Sequence, residues 1–191
     1  MIPITSLQSF VWAARRTQVG PRCEVCGSPI GPEHRHVVDK PARRLLCACQ
    51  ACALAFDGAQ PARFRSVPEA ARAVRLKDAD LDRLGIPVAL AFFFRPSSLG
   101  KWVVVFPSVA GATEAELSDA AAEMLNGLSV LDDVEALLIH RPRGKAGRSF
   151  VIPVAMGYEL TAILRRTWRG IDGGDEAKRA IEGLFARLEA A

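Results

Sequence analysis

Two cysteine pairs constrain this chain more than any other feature: Cys23-Glu24-Val25-Cys26-Gly27 and, after 22 intervening residues, Cys49-Gln50-Ala51-Cys52. In each pair a tight turn lets two thiolates converge on one ion, and the segment between is long enough to fold back as a hairpin that brings the pairs together. Four thiolates suit zinc, and a closed four-cysteine shell leaves no coordination position for water or substrate. Such a site organises a fold and does not catalyse. The expected ligands are Cys23, Cys26, Cys49 and Cys52, and the expected cofactor is zinc. All five cysteines fall between residues 23 and 52, whereas thiols used only as small buried hydrophobes would scatter.

The fifth, Cys47, complicates the set. In an extended segment residues two apart share a face, so Cys47 and Cys49 are expected to point the same way, toward the metal. Cys47 can then replace Cys49, join another cluster or stay idle. The run Cys47-x-Cys49-x-x-Cys52 with Cys23 and Cys26 leaves an iron-sulfur cluster as an alternative, and a rubredoxin-like mononuclear iron site accepts the same four thiolates. Gly27 fits the turn of a rubredoxin-type knuckle, but Ala53 stands where a matching glycine would fall. His34 and His36 lie between the pairs and are ligands by type. Because four cysteines complete the shell, their simpler role is to hold thiolates or backbone in place as hydrogen-bond donors.

A chain of 191 residues, half of them hydrophobic, can bury a real core. It has no apolar run of membrane-spanning length and no secretory-signal pattern, and an odd number of cysteines at metal spacing argues against a disulfide scaffold. A cytoplasmic location is expected. Charge is uneven: residues 1–75 hold 11 Lys or Arg against 5 Asp or Glu, and residues 76–191 hold 14 against 16. A basic metal module suits phosphate or an acidic protein face. Nucleic acid is the weaker partner, because the segment after the last cysteine, Ala53-Leu54-Ala55-Phe56, is apolar rather than basic.

The pattern divides the chain into an N-terminal helix (1–19), a zinc ribbon (20–60) and an α+β domain (66–191). Thr5 or Ser6 caps a helix with Leu7, Phe10, Val11 and Ala14 on one face. Beyond the ribbon, Pro68 is expected to open a short helix through Ala73, and Asp78 to Leu84 reads as another that stops at Gly85. Val88 to Phe94 and Trp102 to Phe106 read as adjacent antiparallel strands, whose continuous apolarity implies a sheet covered on both faces. Thr113 and Glu116 make a capping box for a helix with Leu117, Ala121, Met124, Leu125 and Leu128 on one side. A second strand pair, Val134 to His140 and Arg148 to Pro153, precedes two helices, one through Leu160, Ile163, Leu164 and Trp168 and the other through Ala177, Ile181, Leu184, Phe185 and Leu188. The expected class is α+β, a small zinc ribbon followed by a mixed domain with a mostly antiparallel sheet and packed helices.

No catalytic residue is assigned. His140, the single histidine outside the ribbon, ends a strand with no elbow motif near it. Asp172-Gly173-Gly174-Asp175 offers two carboxylates, but turn formation before a helix explains it. The basic loop from His140 to Arg148 suits an anion, though a solvated hairpin tip is the simpler reading.

Several stretches together resemble one family: the first Cys-x-x-Cys-Gly, Glu33-His34-Arg35-His36, Leu46-Cys47-Ala48-Cys49, Ile86 to Phe94, Pro107-Ser108, Gly111 to Glu114, Asp133 to Leu138, and Tyr158-Glu159-Leu160 through Trp168 to Gly174. This is an uncharacterised bacterial family, known as a domain of unknown function, whose genes accompany nickel-iron uptake hydrogenases of the actinobacterial, high-affinity type. The resemblance spans about residues 20 to 188, and its tryptophan-to-glycine stretch is the most specific part. It implies a link to hydrogenase and brings no catalytic residues with it. The five-cysteine arrangement looks similar to the family's. The resulting expectation is a non-catalytic accessory or interaction protein that docks on a hydrogenase subunit or maturation factor. An iron electron carrier for the same hydrogenase and a nucleic-acid-binding regulator are the alternatives.

Overall fold

The computed structural model describes residues 20–58, 62–85, 89–108, 111–142, 144, 146–169 and 173–190. The expected N-terminal helix, with Leu7, Phe10, Val11 and Ala14, lies outside the described residues. In chain order the elements are β1 (Arg35–Asp39), β2 (Arg44–Ala48), α1 (Gln50–Ala55), β3 (Phe64–Ser66), β4 (Arg72–Ala73), α2 (Asp78–Arg83), β5 (Leu90–Phe94), β6 (Val103–Ser108), β7 (Gly111–Glu116), α3 (Asp119–Asn126), β8 (Glu135–His140), β9 (Arg148–Pro153), α4 (Val154–Thr167) and α5 (Gly174–Ala190). They form an α+β fold with two antiparallel sheets. One has three strands in the order β2-β1-β3, and the other six in the order β4-β9-β8-β5-β6-β7.

The large sheet follows from its strands' composition. Every residue of β5 and β8 is buried, and because successive side chains point to opposite faces, each strand feeds two cores. Leu90, Phe92, Phe94, Ala136, Leu138, Phe150 and Ile152 pack with α4 and α5 through Leu160, Leu164, Ile181, Leu184, Phe185 and Leu188. Ala91, Phe93, Leu137, Ile139 and Val151 face the other way, against Leu81, Leu84, Trp102, Ala121 and Leu125 from around α2 and α3. The two strand pairs expected from sequence are both antiparallel, with Phe93 opposite Val104 and Leu138 opposite Phe150. They join where β5 pairs with β8.

Three local readings change. No helix opens at Pro68; Arg72 and Ala73 instead pair with Val151 and Phe150 as an edge strand. The expected capping box at Thr113 and Glu116 is not one: residues 111–116 form β7 against β6, and the helix starts two residues later, with the Ser118 hydroxyl accepting from the Ala121 N–H. The ribbon also reaches past residue 60, since Phe64, Arg65 and Ser66 pair with Asp39, Val38 and Val37.

Glycine is required at the turn between α4 and α5. Gly173 has φ +87°, and a Cβ there would lie 3.1 Å from the Trp168 ring. Arg169 and Gly173 close the turn through a backbone hydrogen bond of 3.0 Å, and α5 follows with Asp175 and Glu176 in its first turn, where the helix dipole favours them. The described ends of the tryptophan-to-glycine stretch, Trp168-Arg169 and Gly173-Gly174, are thus packed against each other.

The ribbon is docked on the large sheet. Val38 and Val67 bury themselves against Val134 and Val154. At the tip of the β1-β2 hairpin, Arg43 donates to both carboxylate oxygens of Glu114 at 2.9 Å.

Candidate metal centre

The first cysteine pair sits in a turn closed by its own backbone. Cys23 N–H donates to the Ser28 carbonyl and Gly27 N–H to the Cys23 carbonyl, both at 2.8 Å, and Gly27 takes φ +78°, which glycine adopts without a Cβ penalty. The second pair uses a helix start instead. Cys49 caps α1, its Sγ accepting from the Cys52 N–H at 3.5 Å, so the two sulfurs of Cys49-x-x-Cys52 are one helical turn apart. Glu24 ties the halves together: its N–H donates to the Cys47 carbonyl at 2.8 Å and its carboxylate accepts from the Cys47 N–H at 2.7 Å.

This scaffold brings together the four cysteines expected from the spacing. The sulfurs of Cys23, Cys26, Cys49 and Cys52 all lie within 4.8 Å of one another. Zinc–sulfur bonds of about 2.3 Å in a tetrahedron have sulfur–sulfur edges of roughly 3.8 Å, and Cys26 and Cys49 stand 3.7 Å apart. The set therefore fits a metal ion such as zinc in number, donor type and spacing. Cys23 is buried inside the ribbon's small core with Val37, Leu46, Ala48 and Ala53, while Cys26 is exposed.

The thiols influence each other. Burial opposes ionisation of Cys23, but backbone N–H groups of Cys49, Cys26 and Val25 outweigh it and bring the thiol down to about 6. The Ser28 hydroxyl and N–H lower Cys26. Hydrogen bonding to Cys26, followed by burial and Cys49, pushes Cys52 up to about 12. Backbone donors thus favour the ionised form of Cys23, and Ser28 favours that of Cys26. A cation is what allows the remaining thiols to ionise beside it.

Cys47 does not join this set. In the β1-β2 register it stands directly opposite His36, and His34, two residues before His36, falls on the same side. Cys47, His34 and His36 form a second group whose ligand atoms also lie within 4.8 Å of one another. The expectation that Cys47 and Cys49 share a face fails because the strand ends at Ala48 and Cys49 begins a helix. His34 Nδ1 lies 3.0 Å from the Gly31 carbonyl rather than against a thiolate. Burial, then the neighbouring His34 ring, lowers the His36 pKa, while burial and Glu24 raise that of the Cys47 thiol.

The family comparison matches residues 22–191 to a family of unknown function, DUF5947. The chain belongs to DUF5947. Comparison with curated proteins and with solved structures gives no match. The match covers both cysteine pairs, the His34-His36-Cys47 group and the whole large sheet of this DUF5947 chain.

Of the other residues considered from sequence, Asp172 and, in the basic loop, Arg143 and Lys145 lie outside the described residues, while His140, Arg141 and Arg148 have structural partners. His140 is buried, with Nδ1 2.8 Å from Arg148 Nη2 and its ring 4.9 Å from Phe185. Two arginines of the basic loop are paired, Arg141 with Asp82 at 2.6 Å and Arg148 with Glu182 at 2.8 Å. Much of the positive charge in the N-terminal half is also committed: Arg35 to Glu69, Arg43 to Glu114, Arg44 to Glu24, Arg63 to Asp39 and Arg72 to Glu135. Among the described residues no helix is long and apolar enough to cross a membrane.

Proposed function

We propose that this chain is a non-catalytic, cytoplasmic zinc-ribbon accessory protein. Cys23, Cys26, Cys49 and Cys52 hold one zinc ion, and the ion fixes the ribbon against the large sheet so that the two present one surface to a protein partner. The observation that carries the reading is the convergence of four sulfurs within 4.8 Å, with no fifth protein ligand in the group among the described residues. A four-thiolate shell is closed, which suits a structural ion and leaves no position for substrate. The partner we propose is a nickel-iron hydrogenase subunit or maturation factor. That link is supported by the resemblance of the motif set to a family whose genes accompany such hydrogenases.

The same donors accept iron, and the exposure of Cys26 would give an electron an outlet, so a rubredoxin-like carrier serving the hydrogenase is the second reading. A multinuclear cluster is less favoured, since Cys47 sits with the histidines. Nucleic acid is less favoured again, because five of the arginines that make this half basic are held by carboxylates; binding of that kind would fall steeply with salt. The partner is tested by crosslinking and affinity capture of the tagged chain from a host that expresses the hydrogenase. Enrichment of a hydrogenase subunit or maturation factor over an unrelated tagged control supports the link, and enrichment of neither removes it without touching the zinc site.

A further inference from the structure

We infer that the ribbon carries a second metal site, formed by His34, His36 and Cys47, which binds a zinc-class divalent cation through three protein ligands and keeps one coordination position open. The geometry is built by the hairpin. His36 and Cys47 are a directly opposed cross-strand pair, so their side chains leave the same face as neighbours, and the His34 ring lies beside His36, tilted by 46° with centroids 4.8 Å apart. The three ligand atoms fall within 4.8 Å of one another, within reach of one ion after small side-chain rotations.

The hydrogen bonding of His34 is that of a metal ligand. Its Nδ1 is engaged with the Gly31 carbonyl at 3.0 Å, which makes Nδ1 the protonated nitrogen and leaves the lone pair on Nε2. That Nε2 is buried and has no hydrogen-bond partner, a cost that a cation would remove. Two imidazoles and one thiolate select borderline cations such as zinc over magnesium or calcium. Three protein ligands are the number found where zinc retains a position for water or an exogenous donor.

The surroundings supply room for that donor. Both histidines line a cleft of about 530 Å3 between the ribbon and α4, whose walls include Glu69, Met156, Tyr158 and Glu159. The face of β1 and β2 that carries His36 and Cys47 also carries Val38 and Leu45, which pack on the large sheet. The second site thus faces the junction of the two sheets, whereas Cys23, Cys49 and Cys52 of the four-cysteine group pack with the ribbon's own core.

The test is an anaerobic cobalt titration of the metal-free full-length chain, read by absorption, with zinc stoichiometry measured by mass spectrometry. The wild type is expected to take two equivalents, one with the intense charge transfer of four thiolates and one with that of a single thiolate. His36→Gln and Cys47→Ser are each expected to take one and to keep the four-thiolate absorption. A single equivalent in the wild type, or two equivalents in both variants, overturns the proposal. The ribbon reading fails separately, by absence of the four-thiolate absorption in every chain.

Discussion

If the four cysteines hold zinc as proposed, removing the metal should open the ribbon and leave the large sheet folded. The ribbon's own apolar core is small: Val37 and Leu46 are its large buried aliphatic side chains, and at about 1.5–3 kcal/mol each they supply roughly 3–6 kcal/mol. A structural zinc contributes about 10–16 kcal/mol in zinc-finger peptides, so the ion outweighs the core by about 1.7-fold or more. The large sheet has its own support: among the described residues sixteen buried side chains on one face and eleven on the other. Its loss on opening is limited to the docking contacts: Val134 and Val154 lose Val38 and Val67, Glu114 loses Arg43, and the Asp132 carbonyl loses Arg65. Hydrogen exchange by mass spectrometry, with and without chelator under reducing conditions, reads both parts at once. Peptides covering β1, β2 and α1 should lose protection while those covering β5 and β8 keep it. Two results refute the reasoning. Ribbon peptides protected to within about 1 kcal/mol after complete metal removal would mean that the cysteines act as packed hydrophobes. Loss of protection in β5 and β8 together with the ribbon would mean one shared cooperative unit.

Three further outcomes follow from named contacts. Glu135 is buried, and Arg72 holds its two oxygens at 2.5 and 3.1 Å; Arg72→Ala should cost about 3 kcal/mol, the low end for a broken buried pair because Arg72 itself is part exposed, while the double variant Arg72→Met with Glu135→Leu should recover most of it in urea denaturation. Gly173→Ala forces a side chain into a left-handed backbone against the Trp168 ring and should lower stability by about 1–3 kcal/mol, measured by thermal denaturation. The Arg63 guanidinium, hydrogen-bonded to Asp39 at 2.6 and 3.0 Å, holds that carboxyl below its ordinary range. Since the folded pKa is the lower one, this stabilisation is complete above the unfolded value of about 3.9 and is lost as pH falls through the folded value. The stability gap between wild type and Asp39→Asn should therefore be constant above about pH 5 and close below about pH 4; a gap that does not change with pH contradicts the assignment.

Much of the fold is legible in the residues. Val88 to Phe94 and Trp102 to Phe106 read as strands of a sheet covered twice because they are continuous apolar runs, and every residue of Leu90–Phe94 is buried; the helix containing Ile181, Leu184, Phe185 and Leu188 is written in its periodicity. Tertiary pairing decided the rest. Thr113-x-x-Glu116 satisfies a capping pattern, yet its backbone groups found better partners in β6, and the three residues of β3 carry no strand signal apart from β1 beside them. The four-cysteine group was legible because its spacing alone constrains it. The grouping of His34, His36 and Cys47 was not, since it depends on a cross-strand register that places residues 36 and 47 opposite each other.

The central claim is that the four cysteines hold zinc, and the most direct measurement is elemental analysis with an absorption spectrum of protein purified without oxygen. Colourless protein is expected that contains zinc and loses at least one equivalent per chain in a Cys23→Ser, Cys52→Ser variant. Iron in place of zinc, with charge-transfer bands in the visible, would contradict it and make the same four sulfurs a redox site.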